Sequence, residues 1–461
     1  MNSFRFIVTY HVSRITFYAS RFAFSGFFVE DRLPSKKRYG VGLLGAGTVG
    51  GGLIRLLHEK LSHHQLPVEI KKVGVRNLSK TRSFNLPGAL LSDNLEGIVE
   101  DKTIDILVEA MGGLEPARTY IEKALLAGKH VVTANKQVVS EYGDYLSQLA
   151  QSKGKQFLYE ASVAGSIPII EILREGVIPD RIQAIYGILN STTNFILTRM
   201  TESGEDFHEA LVKAQELGFS EPNPSFDISG KDAGQKLAIL ISILKHQPCH
   251  PAQLDARGID GLAPFDFQFA RDRQWRIKPL AIYEEASGKG FASVEPVLVP
   301  ASSIFANVRN EYNALCFSCQ NIGRQIFIGK GAGELPTASA LLSDLSKITS
   351  SDGHEQLSYE PSGAAREGIQ FCSSIENPRG YGFYIKCSLS SNAVKRRRIR
   401  EVVGQVGEVF EESTTGQGTN AWFCAVTQKI LHSELYRILN EILSFDADAR
   451  LSWLRVLQET D

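Results

Sequence analysis

The stretch Tyr39–Gly50, YGVGLLGAGTVG, is a short apolar run that ends in three glycines at GxGxxG spacing. It opens into LIRLLHEKL, whose apolar residues recur at helical intervals. Strand, glycine turn and helix form the setting in which this spacing binds a dinucleotide. Gly45 permits a tight turn, Gly47 lets the backbone approach a pyrophosphate, and Gly50 lets the helix pack close to the strand. Thr48 and Val49 then start the helix, whose N-terminal amides face the phosphate charge.

The pattern continues outward as further strand–helix units. EIKKVGV (69–75) reads as a second strand that ends at Arg76-Asn77-Leu78-Ser79-Lys80. An NAD-specific site would place an acid at that strand end, against the ribose 2′-hydroxyl. Arg76 and Lys80 instead favour the 2′-phosphate of NADP; two ordinary surface cations are the alternative. IDILVEAMGG (104–113) and HVVTANK (130–136) read as buried parallel strands around the helix EPARTYIEKALLAGK (115–129). Ligands bind beyond the carboxyl ends of such strands, so Gly112, Gly113 and Lys136 are expected to face cofactor and substrate.

A second informative stretch, AQELGFSEPNPSFDISGKDAGQK, covers residues 214–236 and runs into an apolar helix. Asp232 and Lys236 stand four apart, on one helix face. Partial burial would lower the lysine pKa and the carboxylate would raise it again, which suits proton exchange with a hydroxyl. By itself such a pair is more often a solvated surface pair. The whole string resembles the signature of homoserine dehydrogenases at Ala214, Gly218, Phe219, Ser220, Asn223, Pro224, Asp227, Ile228, Gly230, Asp232 and Lys236. The resemblance extends through VTANK, EASVAGSIPIIEILREG (160–176), GILNSTTNFILTRM (187–200) and GKGAGELPTASALLSDL (329–345), so it covers about residues 39–345. The family usually has Asn-Gly-Thr where this chain has Asn190-Ser191-Thr192.

The resemblance implies reversible hydride transfer between NADP(H), with NAD as the alternative, and L-homoserine/L-aspartate 4-semialdehyde, a step of threonine and methionine biosynthesis. It implies Lys236 as proton donor, Asp232 as its partner and Lys136 as a second cation near the reacting oxygen. Glu221 and Asp227 would bind substrate, and Gly331 would belong to the glycine-rich return segment at the cofactor. A monovalent cation such as sodium would sit on main-chain oxygens of Glu160, Val163, Gly165 and Ile167. A homodimer or homotetramer is implied. Another semialdehyde or hydroxy-acid dehydrogenase on this scaffold, or a silent NADP-binding regulator, are the competing readings.

Beyond the match, YGFYIKCSLS, VKRRRIREVVGQVG, a hairpin, LHSELYRILNEIL and LSWLRVLQE follow in βαββαβ order. That is a ferredoxin-like pattern, similar to the ACT domain that ends many homoserine dehydrogenases. In the first of these helices Val394, Ile399, Val402, Val403 and Val406 are expected inward, with Arg396 to Arg398 on a solvated face. Leu389–Ala393 lacks the Pro-Gly pair usual at the ACT ligand loop. The expected organisation is an N-terminal extension (1–38), a Rossmann domain (39–165), an α+β catalytic and dimerisation domain (166–345), a linker (346–379) and the ACT-like domain (380–461). No kinase-like half precedes the Rossmann domain, so a monofunctional enzyme is expected.

Composition adds exclusions. The 461 residues carry 50 basic and 51 acidic side chains, so no polyanion partner such as nucleic acid is implied. No apolar run reaches the roughly 18–20 residues that cross a bilayer. Six cysteines in a chain this long make no disulfide framework, and Cys316 and Cys319 read as packing within a strand. The leader is Arg-rich and has no acid before Glu30, so organelle import and a plain unstructured tail both stand beside a cytoplasmic location.

Overall fold

The computed structural model describes residues 38–60, 66–82, 84, 86–176, 180–350, 369–373, 376–388, 392–413 and 421–457. The expected extension (all but Arg38), the linker stretch 351–368 and Leu389–Ser391 of the expected ligand loop lie outside the described residues.

The first layer system contains β1 (Tyr39–Leu44), α1 (Thr48–Lys60), β2 (Val68–Gly74), β3 (Leu91–Ser92), α2 (Leu95–Glu100), β4 (Ile106–Glu109), α3 (Ala117–Leu126), β5 (His130–Thr133), α4 (Lys136–Ser152) and β6 (Phe157–Leu158). The strands are all parallel, in the order β3-β2-β1-β4-β5-β6. This is the doubly wound dinucleotide fold, with its crevice where the order reverses between β1 and β4. Every residue of β1 is buried, as a strand covered by helices on both faces requires. A Cβ on Gly50 would lie 2.0 Å from the Gly45 carbonyl oxygen, so only glycine lets α1 start this close to the strand end. One expectation needs correction: Lys136 is not the last residue of a strand. β5 stops at Thr133, the Asn135 side chain caps the next helix, and Lys136 is the first residue of α4.

The second sheet is mixed. After α5 (Ile169–Glu171) come β7 (Ile182–Ile188), α6 (Ser191–Glu202), α7 (Phe207–Glu216), α8 (Ser225–Ile228), α9 (Lys231–Lys245), β8 (Asp255–Ala256), α10 (Pro264–Asp272), β9 (Trp275–Ala286), β10 (Lys289–Pro300), β11 (Tyr312–Cys319) and β12 (Gly323–Lys330). The run β12-β11-β7-β9-β10 is antiparallel throughout. The β9–β10 hairpin turns on Ser287 and Gly288, both left-handed, as a tight two-residue hairpin demands. α11 (Glu334–Ser350) then returns to the first layer, where Ala338, Leu341, Leu345 and Ile348 join the core around Leu53, Ile54 and Leu57 of α1. All six cysteines are free and buried, Cys316 and Cys319 within β11.

The C-terminal elements are β13 (Gln370–Cys372), β14 (Gly382–Ser388), α12 (Ala393–Gly404), β15 (Gly407–Ser413), β16 (Ala421–Thr427), α13 (His432–Phe445) and β17 (Leu451–Val456). From β14 onward they follow the βαββαβ order, with strands arranged β17-β14-β16-β15. Ile399, Val402, Val403 and Val406 are buried, but Val394 is 76% exposed. Val394 sits in the first turn of α12, where Asn392 caps its amide, and the turn stands clear of the core.

β17 pairs in parallel with β10, so the two sheets are continuous. The seam holds buried charge. Arg455 of β17, 3% exposed, pairs with Glu295 of β10 at 2.6 Å and approaches Glu284 of β9 at 3.9 Å. Arg257 also binds Glu295, donates to the Trp453 carbonyl at 2.9 Å and stacks 3.4 Å from the Trp453 ring centre. Burial alone would raise the Glu295 pKa; Arg455 and Arg257 outweigh it and hold the pKa near about 2. Glu284 accepts further bonds from the Tyr186 and Tyr381 hydroxyls and from Arg379. Removing one partner of a buried pair strands the other charge. Arg455→Met is therefore expected to cost about 3–5 kcal/mol of stability, read as a lower urea midpoint; an unchanged midpoint would show that the seam contributes no net stability.

Candidate active site

Asp232 lies in the first turn of α9 and is fully buried. Gly230, left-handed at φ 81°, ends the preceding turn and starts α9. A side chain there would be strained and would press on Val294 and the Arg257 carbonyl. The two Asp232 oxygens hold two different ammoniums. Oδ2 meets Lys236 Nζ at 2.8 Å, and Oδ1 meets Lys136 Nζ at 2.9 Å. Burial pushes the carboxyl toward neutrality, but the two lysines override it and hold its pKa far below the usual carboxylate range. The helix N-terminus adds positive potential in the same sense. Asp232 in turn raises the Lys136 pKa against burial, helped by Asp227 and Glu221. Both ends of the Asp232–Lys136 bridge are therefore charged.

Asn190 completes the cluster. Its side-chain amide donates to Asp227 at 2.7 Å and to Asp232 Oδ2 at 2.8 Å, while its oxygen caps α6 by accepting the Thr193 amide. Lys236 Nζ also donates to the Leu189 carbonyl at 2.8 Å. With two of its three protons so engaged, Lys236 keeps a third for a ligand. Its side chain is 12% exposed and that of Lys136 35%, so both reach a solvent-connected space. Burial and the neighbouring Asp232 charge raise the Asp227 pKa. Glu221 is exposed, in a loop tied to α6 by the Thr192 hydroxyl, which donates to the Phe219 carbonyl at 2.6 Å.

A cleft of about 960 Å³ opens at the β1/β4 switch point. Gly45, Gly47, Thr48, Arg76, Lys80 and Gly112 line it together. Gly47 has open space where a Cβ would be. Val49, Gly50, Lys136 and Gly331 are not among its lining residues: Gly50 packs on Gly45, Lys136 faces Asp232, and Gly331 lies against Asn313. Glu160 presents its carboxylate to the Ile170 and Glu171 amides, both at 2.9 Å. Beside it Ala164 and Gly165 are left-handed, in the loop that leads through Val163 to Ile167.

Sequence reasoning missed five contributors. Asn190 carried a signal, an asparagine directly before a helix start, which marks a cap. Glu334 lines the dinucleotide cleft and pairs with Arg55 at 2.8 Å; it lies in the return segment GKGAGELPTASALLSDL, where only Gly331 was singled out. Arg82 donates to the Asn77, Leu78 and Lys80 carbonyls and so shapes the loop that presents Arg76 and Lys80. Glu109, at the end of β4 and fully buried, accepts the Met111 amide at 2.8 Å, the Gly112 amide at 3.3 Å and the Thr133 hydroxyl. Burial raises its pKa. Asn135 donates to Glu109 at 3.4 Å and to the Gly113 carbonyl at 2.7 Å while capping α4. Glu109 and Asn135 thus tie the cleft loop to the helix that starts at Lys136.

Comparison with known proteins identifies the family. The family model for homoserine dehydrogenase matches residues 168–346, and the model for the homoserine dehydrogenase NAD-binding domain matches residues 45–160. A homoserine dehydrogenase of Synechocystis is 42% identical over 327 residues, 69% of this chain and 76% of that one. One from Lactococcus lactis is 32% identical over 428 residues, 90% of this chain and 99% of that one. The crystal structure of a homoserine dehydrogenase from Thiobacillus denitrificans superposes with a TM-score of 0.81 at 34% identity, covering 92% of this chain and 99% of that one. A hyperthermophilic archaeal homoserine dehydrogenase in complex with NADPH gives a TM-score of 0.57 at 26% identity, covering 68% of this chain and 98% of the other. The chain belongs to the homoserine dehydrogenases, nicotinamide-dependent oxidoreductases that act on a CH–OH group.

Proposed function

We propose that this chain interconverts L-homoserine and L-aspartate 4-semialdehyde with NADP(H) as the preferred dinucleotide, and that Lys236 moves the proton. The observation that carries the reading is the buried Asp232 carboxylate clamped between the Lys236 and Lys136 ammoniums. A bound nicotinamide supplies or accepts the hydride at the substrate carbon. Lys236, anchored to Asp232 and the Leu189 carbonyl, points its third N–H at the substrate oxygen. It gives the proton to the nascent alkoxide in reduction and takes it back in oxidation. Asp232 positions both lysines and raises the pKa of Lys136. Lys136 adds a second cation at the oxygen, where negative charge grows in the transition state. Glu221 receives the substrate α-ammonium, and Asp227, held by Asn190, lines the same pocket. A silent regulator would not need this cluster intact.

Three finer readings belong to the same proposal. Arg76 and Lys80 on the cleft take the 2′-phosphate of NADP. The Glu160–Ile167 loop holds a monovalent cation such as sodium on main-chain oxygens, a reading supported by the left-handed pair Ala164 and Gly165. The βαββαβ unit is ACT-like, and the chain works as a homodimer or homotetramer. Self-association is supported by the edge strand β12, which exposes Ile326 and Ile328.

Lys236→Ala is expected to lower kcat by about 10²–10⁴-fold, the range of a lost acid–base group, with NADP affinity retained. Steady-state NADPH oxidation with aspartate semialdehyde tests this, and near-normal turnover would remove Lys236 from the mechanism. Glu221→Ala should raise KM for homoserine about tenfold while changing kcat less, the pattern of lost ground-state binding; an unaltered KM would take Glu221 out of the substrate site. Arg76→Asp should shift the NADP/NAD preference toward NAD by at least about tenfold, the effect of ~1.4 kcal/mol. A ratio that stays put would place the 2′-phosphate elsewhere.

A further inference from the structure

We propose a second, anion-binding site at the far end of α6, in a cavity between α6, α10, β9 and the segment 301–309, which takes a small oxyanion with two or more negative charges. The cavity measures about 380 Å³, room for a group of pyrophosphate or tricarboxylate size. Arg271, Arg276, Lys278 and Arg309 line it, against one carboxylate, Glu202. Glu202 is already engaged by Arg309, Nε to Oε1 at 3.0 Å.

The other three cations bind only neutral acceptors among the described residues. Arg271 donates to the Thr201 carbonyl at 3.3 Å, and Arg276 to the Trp275 carbonyl at 2.8 Å. Lys278 donates to the Val308 carbonyl at 2.6 Å and to Asn194 Oδ1 at 3.3 Å. Arg276 and Lys278 alternate along β9 and so project from the same face of the sheet. Exposed arginines can stand as a merely solvated group, but Lys278 is 4% exposed and has lost most of its water. Burial lowers its pKa to about 8; Glu202 opposes the shift, and Arg309 and Arg276 reinforce it. Gathering like charges around a partly dry cavity is unfavourable until a countercharge enters it. Guanidinium groups suit phosphate or carboxylate oxygens, which they hold in pairs.

This place is separate from the reaction centre. α6 begins at the Asn190 cap beside Asp232, and its last turns, with Thr198, Thr201 and Glu202, reach the cavity roughly 12–18 Å along the helix. The proposal therefore stands independently of the roles given to Lys236 and Lys136.

Isothermal titration calorimetry on the NADP-saturated protein tests it, with the dinucleotide cleft filled so that the probe cannot bind there. Pyrophosphate and, separately, citrate are titrated at constant ionic strength set with chloride. At least one is expected to bind saturably, one per chain, and the two arms tell a phosphate from a carboxylate ligand. Arg276→Gln and Lys278→Met are each expected to weaken that binding at least about tenfold, the loss of one charge-assisted contact. Should the buried Lys278 substitution impair folding, Arg271→Gln serves in its place. Absence of saturable binding by both probes overturns the site, and so does unchanged affinity in Arg276→Gln.

Discussion

A single carboxylate out of reach of water organises the junction between the two sheet layers of this molecule. Asp232 has two oxygens, and a different lysine sits on each. A buried charge of this kind is tolerated only when it is paired and hydrogen-bonded. That condition sets the local architecture. α9 must begin at Gly230 so that Asp232 falls in its first turn, and α4 must begin at Lys136, beside it. Asn190 must cap α6 from the other side, where its amide serves both Asp227 and Asp232. Three helix starts thus converge on one carboxylate, and the dinucleotide-binding layer is fastened to the mixed sheet there.

The link to the cofactor side is as specific. Glu109 receives amides from the cleft loop, and Asn135 bonds both Glu109 and Gly113 while capping the helix that carries Lys136. The cleft loop at Met111–Gly113 and the start of the helix that carries Lys136 therefore share one set of hydrogen bonds. A displacement of either would leave a buried polar group unpaired, at about 1–3 kcal/mol. At the opposite end of the chain the same physics recurs. Glu284 and Glu295 on the central hairpin are neutralised by Arg455 and Arg257, so the C-terminal unit is joined to the catalytic sheet by charge as well as by the β10–β17 ladder. Lys386 and Asp266, both buried and 2.7 Å apart, add a second such joint.

Much of this was legible in the chain because the signals are local. The GxGxxG turn, the alternation of strands and helices, and the Asp232/Lys236 spacing each lie within a few residues, and backbone periodicity converts them directly into positions on an element. The βαββαβ order at the C-terminus was read the same way. Where local periodicity erred, the cause was a helix end. Val394 fits the apolar stripe of α12 but belongs to a first turn that extends past the core. Lys136 read as a strand end because Asn135, the cap that starts α4, follows the strand after a single residue.

The sequence by itself determined the dinucleotide fold, the family, and the spacing that puts Asp232 and Lys236 on one helix face. Only the tertiary structure decided that Lys136, about a hundred positions upstream, shares the Asp232 carboxylate with Lys236, and that Glu334 of the return segment pairs with Arg55 at the cofactor cleft. It alone joined Arg455 to Glu295, and gathered Arg271, Arg276, Lys278 and Arg309 around one cavity. Local motifs fix which face of an element a residue occupies. Which faces meet is settled by burying apolar surface across the whole domain, and the partners of buried charges follow from that packing.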